Sequence, residues 1–106
     1  MYRNIDNKEF KKLMRAPNTI IFDVRTPKEV AEGQIEGTHV TADFNNTEEF
    51  KKTLAALDKT KNYLVYCRSG SRSAKACKMM EENGFKGALY NLAMGIAEWK
   101  DPLVKK

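Results

Sequence analysis

The stretch Thr19-Ile20-Ile21-Phe22-Asp23-Val24 constrains this chain more than any other, because apolar side chains at consecutive positions leave a strand no solvent face. Such a strand belongs inside a parallel sheet covered on both sides. Two residues later, Thr26-Pro27-Lys28-Glu29 supplies a cap, a proline at the first helical position and a glutamate at the third, which predicts a short helix ending at Gly33. The same order recurs downstream. Asn46 and Thr47 cap a helix carrying Phe50, Leu54 and Leu57, and Asn62-Tyr63-Leu64-Val65-Tyr66 is the next strand. That strand runs straight into Cys67-Arg68-Ser69-Gly70-Ser71-Arg72-Ser73, and a helix with Ala76, Met79 and Met80 on one side follows, stopped at Asn83-Gly84. Upstream, Asp6 with Glu9 three residues on predicts a helix near 7–15 bearing Phe10, Leu13 and Met14. Downstream, Ala88-Leu89-Tyr90-Asn91-Leu92 reads as a short strand, and Ile96 to Trp99 as a terminal turn of helix before Asp101-Pro102. Alternating strands and helices define an α/β fold, an open sheet flanked by helices.

Several function classes are set aside by composition. One compact domain spanning 1–106 is expected from 106 residues, and 42% hydrophobic with 31% charged residues suits a globular core. Apolar runs are only a few residues long, far short of the roughly 20 that a membrane helix needs. The first residues lack an apolar core and a small-residue cleavage site, so a cytoplasmic protein is expected. A net charge of +5 raises the question of nucleic acid, yet Lys11, Lys12, Lys51, Lys52, Lys59 and Lys61 alternate with Glu and Asp rather than forming a basic stripe with aromatics. No nucleic-acid or membrane partner is expected. One histidine, His39, and two cysteines ten residues apart do not make a metal site, and neither a metal nor a cofactor is expected. The two thiols should be free.

Chemistry concentrates at Cys67. In parallel sheets ligands gather at the carboxyl ends of strands, where loops feed helix N-termini whose free N–H groups favour negative charge. Cys67 sits there, followed by small hydroxyl side chains, Gly70 and two arginines, Arg68 and Arg72, so main-chain amides can curl round the sulfur as an anion nest. A free thiol titrates near 8.5, and such surroundings bring it to roughly 3.5–7.5. The plainer alternative is a buried strand-end cysteine with surface arginines. Cys77 has no comparable setting and reads as packing, while His39 reads as a satisfied strand or loop residue. Asp23 and Arg25 reach the same sheet edge as Cys67 if the strands are parallel, and an Arg25–Glu29 pair is expected to fix the intervening turn.

Taken in order, Asp23-Val24-Arg25 with Glu29, Gly33-Gln34-Ile35-Glu36-Gly37, Cys67 to Ser73, Gly84-Phe85 and Leu92-Ala93-Met94-Gly95-Ile96-Ala97-Glu98-Trp99 resemble the rhodanese-like sulfurtransferases over nearly the whole chain. The resemblance implies a five-stranded, mostly parallel sheet with helices on both faces, and a persulfide carried on Cys67. It implies a small anionic sulfur donor, thiosulfate or a persulfide, and a thiol or protein acceptor. Cys-dependent phosphatases and arsenate reductases are similar in placing a cysteine before an anion cradle, but they use Cys-x5-Arg. Here four residues separate Cys67 from Arg72, a ring sized for a sulfur atom and tight for a tetrahedral phosphate. Loop amides from Arg68 to Ser73 would stabilise the persulfide anion, and Arg68 and Arg72 would attract the donor, unless Arg72 turns inward to brace the loop. No general base is required. A partner-binding module without catalysis is the competing expectation, and phosphatase or arsenate reductase chemistry a weaker one. Two departures stand out. Gln34, Glu36 and Thr38 replace His, Pro and Ala of the family's Gly-His-Ile-Pro-Gly-Ala turn, a change expected to be structural. Met94 replaces the first glycine of a Gly-Gly pair and is expected to wall the site with an apolar side chain.

Overall fold

The central strand, β4 (Asn62–Tyr66), buries both of its faces. In the computed structural model, which describes residues 1–105, Tyr63 and Val65 join one hydrophobic cluster and Leu64 and Tyr66 the other. The same alternation splits the neighbouring strand β2 (Thr19–Asp23), with Phe22 on one side and Ile21 on the other. With β1 (Arg3–Ile5), β3 (Val40–Thr41) and β5 (Leu89–Leu92), they form a sheet in the order β1-β5-β4-β2-β3. Each ladder is parallel, so the expected mostly parallel sheet is parallel throughout; an isolated antiparallel bridge joins Gln34 to Val104.

Helices cover both faces. On one side lies α1 (Asn7–Leu13), which buries Phe10, with a 3-10 turn at Ile96–Glu98 contributing Ile96 to the same cluster. On the other lie α3 (Thr47–Ala56), through Phe50 and Leu54, and α4 (Ser71–Glu82), through Ala76, Cys77 and Met80. Start signals operate as read: the Asp6 and Asn46 side chains accept from the Glu9 and Glu49 amides, and Thr26 forms a reciprocal capping box with Glu29 at the head of α2 (Pro27–Ala31). The first helix stops at Leu13 rather than near 15. Beyond it the chain tightens into i−3 bonds at Arg15 and Ala16, and Pro17 disfavours helical geometry in the residue before it.

Topology selects the place where chemistry can be done. From β2 the chain proceeds outward to β3, whereas from β4 it proceeds to β5 on the opposite side. The loops leaving β2 and β4 therefore diverge, and the crevice between them is the switch point at which parallel sheets hold ligands. Cys67 is the first residue after β4 there.

Two glycines fix the path of its loop. Gly70 has φ +92°, and a β-carbon on it would lie 2.0 Å from the carbonyl oxygen of Ala93. Gly95 has φ +69°, and a β-carbon would lie 2.1 Å from the carbonyl oxygen of Arg68. Backbone meets backbone at both points, with no flexible side chain to yield. Replacing Gly70 by alanine should therefore destabilise the protein by more than about 3 kcal/mol, through strain and overlap together. Gly84→Ala, also at positive φ but with open space around it, should cost only about 1 kcal/mol in the same denaturant-unfolding measurement.

Candidate active site

Cys67 is fully buried, and the loop that follows it closes on its sulfur. The amide of Gly70 donates to Sγ at 3.2 Å and the amide of Ser73 at 3.4 Å, and the Ser73 hydroxyl oxygen lies 3.3 Å from it. The loop's carbonyls are engaged on its far side: Ile96 N–H donates to Cys67 O at 2.9 Å and Ala97 N–H to Arg68 O at 3.0 Å. Amides inward and carbonyls outward make an anion nest at a helix N-terminus. Burial is the largest single influence and pushes the thiol up. The Ser73 hydroxyl and amide, with the amides of Ser69 and Gly70, together outweigh it and hold the thiol below its ordinary value.

Cys77 shows the contrast. It is buried on α4 with Tyr90 O as acceptor at 3.7 Å, and burial, aided by the negative charges of Glu81 and Cys67, pushes it up to about 12. It stays a thiol. His39 also lies apart from this loop; its Nδ1 accepts from Ile21 N–H at 2.9 Å and its amide donates to Ile21 O, so it completes the edge of β2.

The charged residues pair differently from expectation. Arg25 does not bond to the Glu29 carboxylate. The chain bends after Asp23, so that the Arg25 amide donates to the Asp23 carboxylate at 3.0 Å and its side chain meets it through Nε at 3.0 Å and Nη2 at 2.9 Å, while donating to the carbonyls of Gly33 and Glu29. The Glu29 carboxylate binds Arg72 instead, in a fork of 2.7 and 2.9 Å that ties α2 to the first turn of α4. Arg72 thus braces the loop rather than reaching into it. Arg68 and Ser69 are exposed, Ser71 is the exposed first residue of α4, and Gly70 and Ser73 are buried. A cavity of about 300 Å³ beside the loop is lined by Arg68, Glu29, Glu32, Gly33, Ile96 and Leu103.

At the departures from the family pattern, Gln34 is buried and donates to Asp23 at 3.1 Å and Thr41 at 2.8 Å, and Thr38 shares a hydrogen bond with the Tyr66 hydroxyl at 2.9 Å. Met94 keeps 57% of its surface exposed. Sequence reading also missed Asn91, a polar side chain inside the apolar run of β5. Its carboxamide reaches Ser73, Gly70 O and Asn4. The signal was a carboxamide at a position whose neighbours Leu89 and Leu92 are core.

The rhodanese-like domain family model matches residues 6–102, and the chain belongs to that family. The putative sulfurtransferase YtwF of Bacillus subtilis (strain 168) is 37% identical over 81 residues, covering 76% of this chain and 72% of the relative. A sulfurtransferase of Allochromatium vinosum is 29% identical over 100 residues, covering 93% and 89%. The tRNA uridine(34) hydroxylase of Pelagibacter ubique is 36% identical over 97% of this chain, which spans only 34% of that enzyme's length. Among solved structures, a rhodanese-like domain protein from Staphylococcus aureus superposes with a TM-score of 0.81 at 28% identity, covering 98% of each chain. Among the described residues no helix is long and apolar enough to cross a membrane, and no group of three or more His, Cys, Asp and Glu is placed to hold a metal ion.

The Glu29–Arg72 fork has a pH signature. Arg72 is the main cause that holds the Glu29 carboxyl down at about 2, from an ordinary 4.5. A depressed carboxyl stabilises the fold fully above its unfolded value and loses that contribution as pH falls toward the folded one. Glu29→Gln should cost on the order of 1 kcal/mol at pH 7, and unfolding series should show wild type and variant converging between pH 4.5 and about 2.

Proposed function

We propose that this protein is a sulfurtransferase in which Cys67 carries the transferred sulfur. The Cys67 thiolate attacks the outer sulfur of thiosulfate or of a persulfide. A new S–S bond forms, the donor's own S–S bond breaks, and sulfite or a thiolate leaves with the electron pair. Cys67–S–S⁻ remains. A thiol or protein-borne nucleophile then takes the outer sulfur and returns Cys67 as thiolate, so no net redox change or general base is needed.

The observation that carries this reading is the convergence of two main-chain amides on Sγ at the sheet's switch point. Exposed Arg68 draws anionic donors to the mouth, Ser69, Gly70 and Ser73 supply the donors, Ser71 opens the helix, and Arg72 holds the loop in shape. Phosphoryl transfer fits poorly, because the ring is spent on one sulfur atom and Arg72 on Glu29. Free thiols at both cysteines suit a reducing, cytoplasmic setting.

A second reading follows from similarity to tRNA uridine(34) hydroxylases across 97% of this chain: a part in RNA modification. Incubation with unmodified tRNA separates the two, since the sulfurtransferase reading predicts no hydroxylated uridine. The direct test is intact-protein mass spectrometry after exposure to thiosulfate or glutathione persulfide. We expect a gain of one sulfur atom that persists in Cys77→Ala and disappears in Cys67→Ala. Equal loading of Cys67→Ala would overturn the assignment.

A further inference from the structure

Ser73 has a single hydroxyl proton, and two acceptors compete for it. Its Oγ lies 3.3 Å from Cys67 Sγ and 2.5 Å from Asn91 Oδ1. Asn91 is buried on β5, and its amide hydrogens are both committed, to Gly70 O at 3.1 Å and to Asn4 Oδ1 at 2.9 Å. A carbonyl cannot donate, so turning the carboxamide over would set its oxygen against Gly70 O. Oδ1 is thereby held toward Ser73. Two oxygens this close need a proton between them, and only the Ser73 hydroxyl can supply it.

While Cys67 is a thiol, every group is satisfied: S–H donates to Ser73 Oγ, and Ser73 donates to Asn91. A thiolate breaks this arrangement. Either the hydroxyl turns to the sulfur and leaves two oxygens facing each other, or it stays on Asn91 and leaves its lone pairs against a negative sulfur. A persulfide does not face this choice, because its charge sits on the outer sulfur and the inner one asks for no strong donor.

We propose that Asn91 is a positioning residue for sulfur transfer: by competing for the Ser73 hydroxyl proton, it disfavours the free Cys67 thiolate relative to the persulfide and shifts the exchange equilibrium toward loaded protein. This rests on Cys67 being the sulfur carrier. It also keeps the attacking sulfur more basic than the cradle alone would, and a more basic thiolate is the stronger nucleophile. The charged and titratable groups around Cys67 are Arg72 of α4, with Glu29 of α2 and Asp43 acting on it, Cys77 of α4, and Arg68 of the loop. None of them is altered by replacing Asn91.

The test measures the pH midpoint of Cys67 alkylation by iodoacetamide in a Cys77→Ala background. Asn91→Ala, or the volume-matched Asn91→Leu, frees the hydroxyl for the thiolate and should lower the midpoint by about one pH unit, the scale of one charge-assisted hydrogen bond. Above the wild-type midpoint, where unloaded Cys67 is a thiolate, the ratio of persulfide to unloaded protein at a fixed thiosulfate-to-sulfite ratio should fall about tenfold, and well below the variant's midpoint it should not change. Once Ser73→Ala has removed the contested proton, Asn91 replacement should leave the midpoint where it is, which a merely structural role would not predict. A midpoint that is unmoved or raised by both Asn91 variants, or that shifts equally with and without Ser73, overturns the proposal. If wild-type Cys67 never gains sulfur from thiosulfate or glutathione persulfide, the sulfur-carrier reading fails and the proposal with it; failure of the relay alone leaves loading intact and the midpoints unmoved.

Discussion

The orientation of a few peptide planes after β4 governs the rest of this structure. Cys67 and Arg68 turn their carbonyls away from the sulfur to the amides of Ile96 and Ala97. The following peptides turn their N–H groups to Sγ. That division requires the loop to lie against residues 93–97 at backbone contact distance, which only glycine at 70 and 95 permits. The 3-10 turn near the end of the described chain is thus part of the cradle. A buried sulfur without these donors would be pushed up as Cys77 is, so the difference between the two cysteines is one of main-chain direction, since both are buried.

Ionic groups near the switch point act mainly as fasteners. Asp23 and Arg25 are both buried, and the arginine's further bonds to Gly33 O and Glu29 O satisfy what a lone ion pair would leave open. Glu29 works twice, completing the capping box of α2 and accepting the Arg72 fork. These contacts tie the loop after β2 to the loop after β4 across the crevice. Arg68 stays exposed beside it and puts a positive charge at the crevice mouth.

Most of the fold was legible because local rules and burial agree. The two-faced apolar run at Thr19, the cap signals at Asp6, Thr26 and Asn46, and the Asn62–Tyr66 strand all appear where pattern and turn chemistry put them. The position of Cys67 was legible for the same reason: a strand end followed by glycine and hydroxyl residues. Side-chain pairing was not. Arg25 precedes α2 instead of lying in it, so Glu29 is not at helical spacing from it and the bend there folds it back on Asp23; Glu29 binds Arg72, 43 residues away. Asn91 is not legible as a site residue, because a strand pattern shows that a polar residue is buried without naming its partner on another element.

The amides of the loop after β4 hold the Cys67 sulfur as an anion more readily than an ordinary thiol. Titrating thiolate absorbance in Cys77→Ala, which leaves Cys67 as the single thiol, measures this directly. A midpoint below the ordinary value near 8.5 is predicted. A midpoint at or above that value would mean that burial outweighs the cradle and would contradict the account.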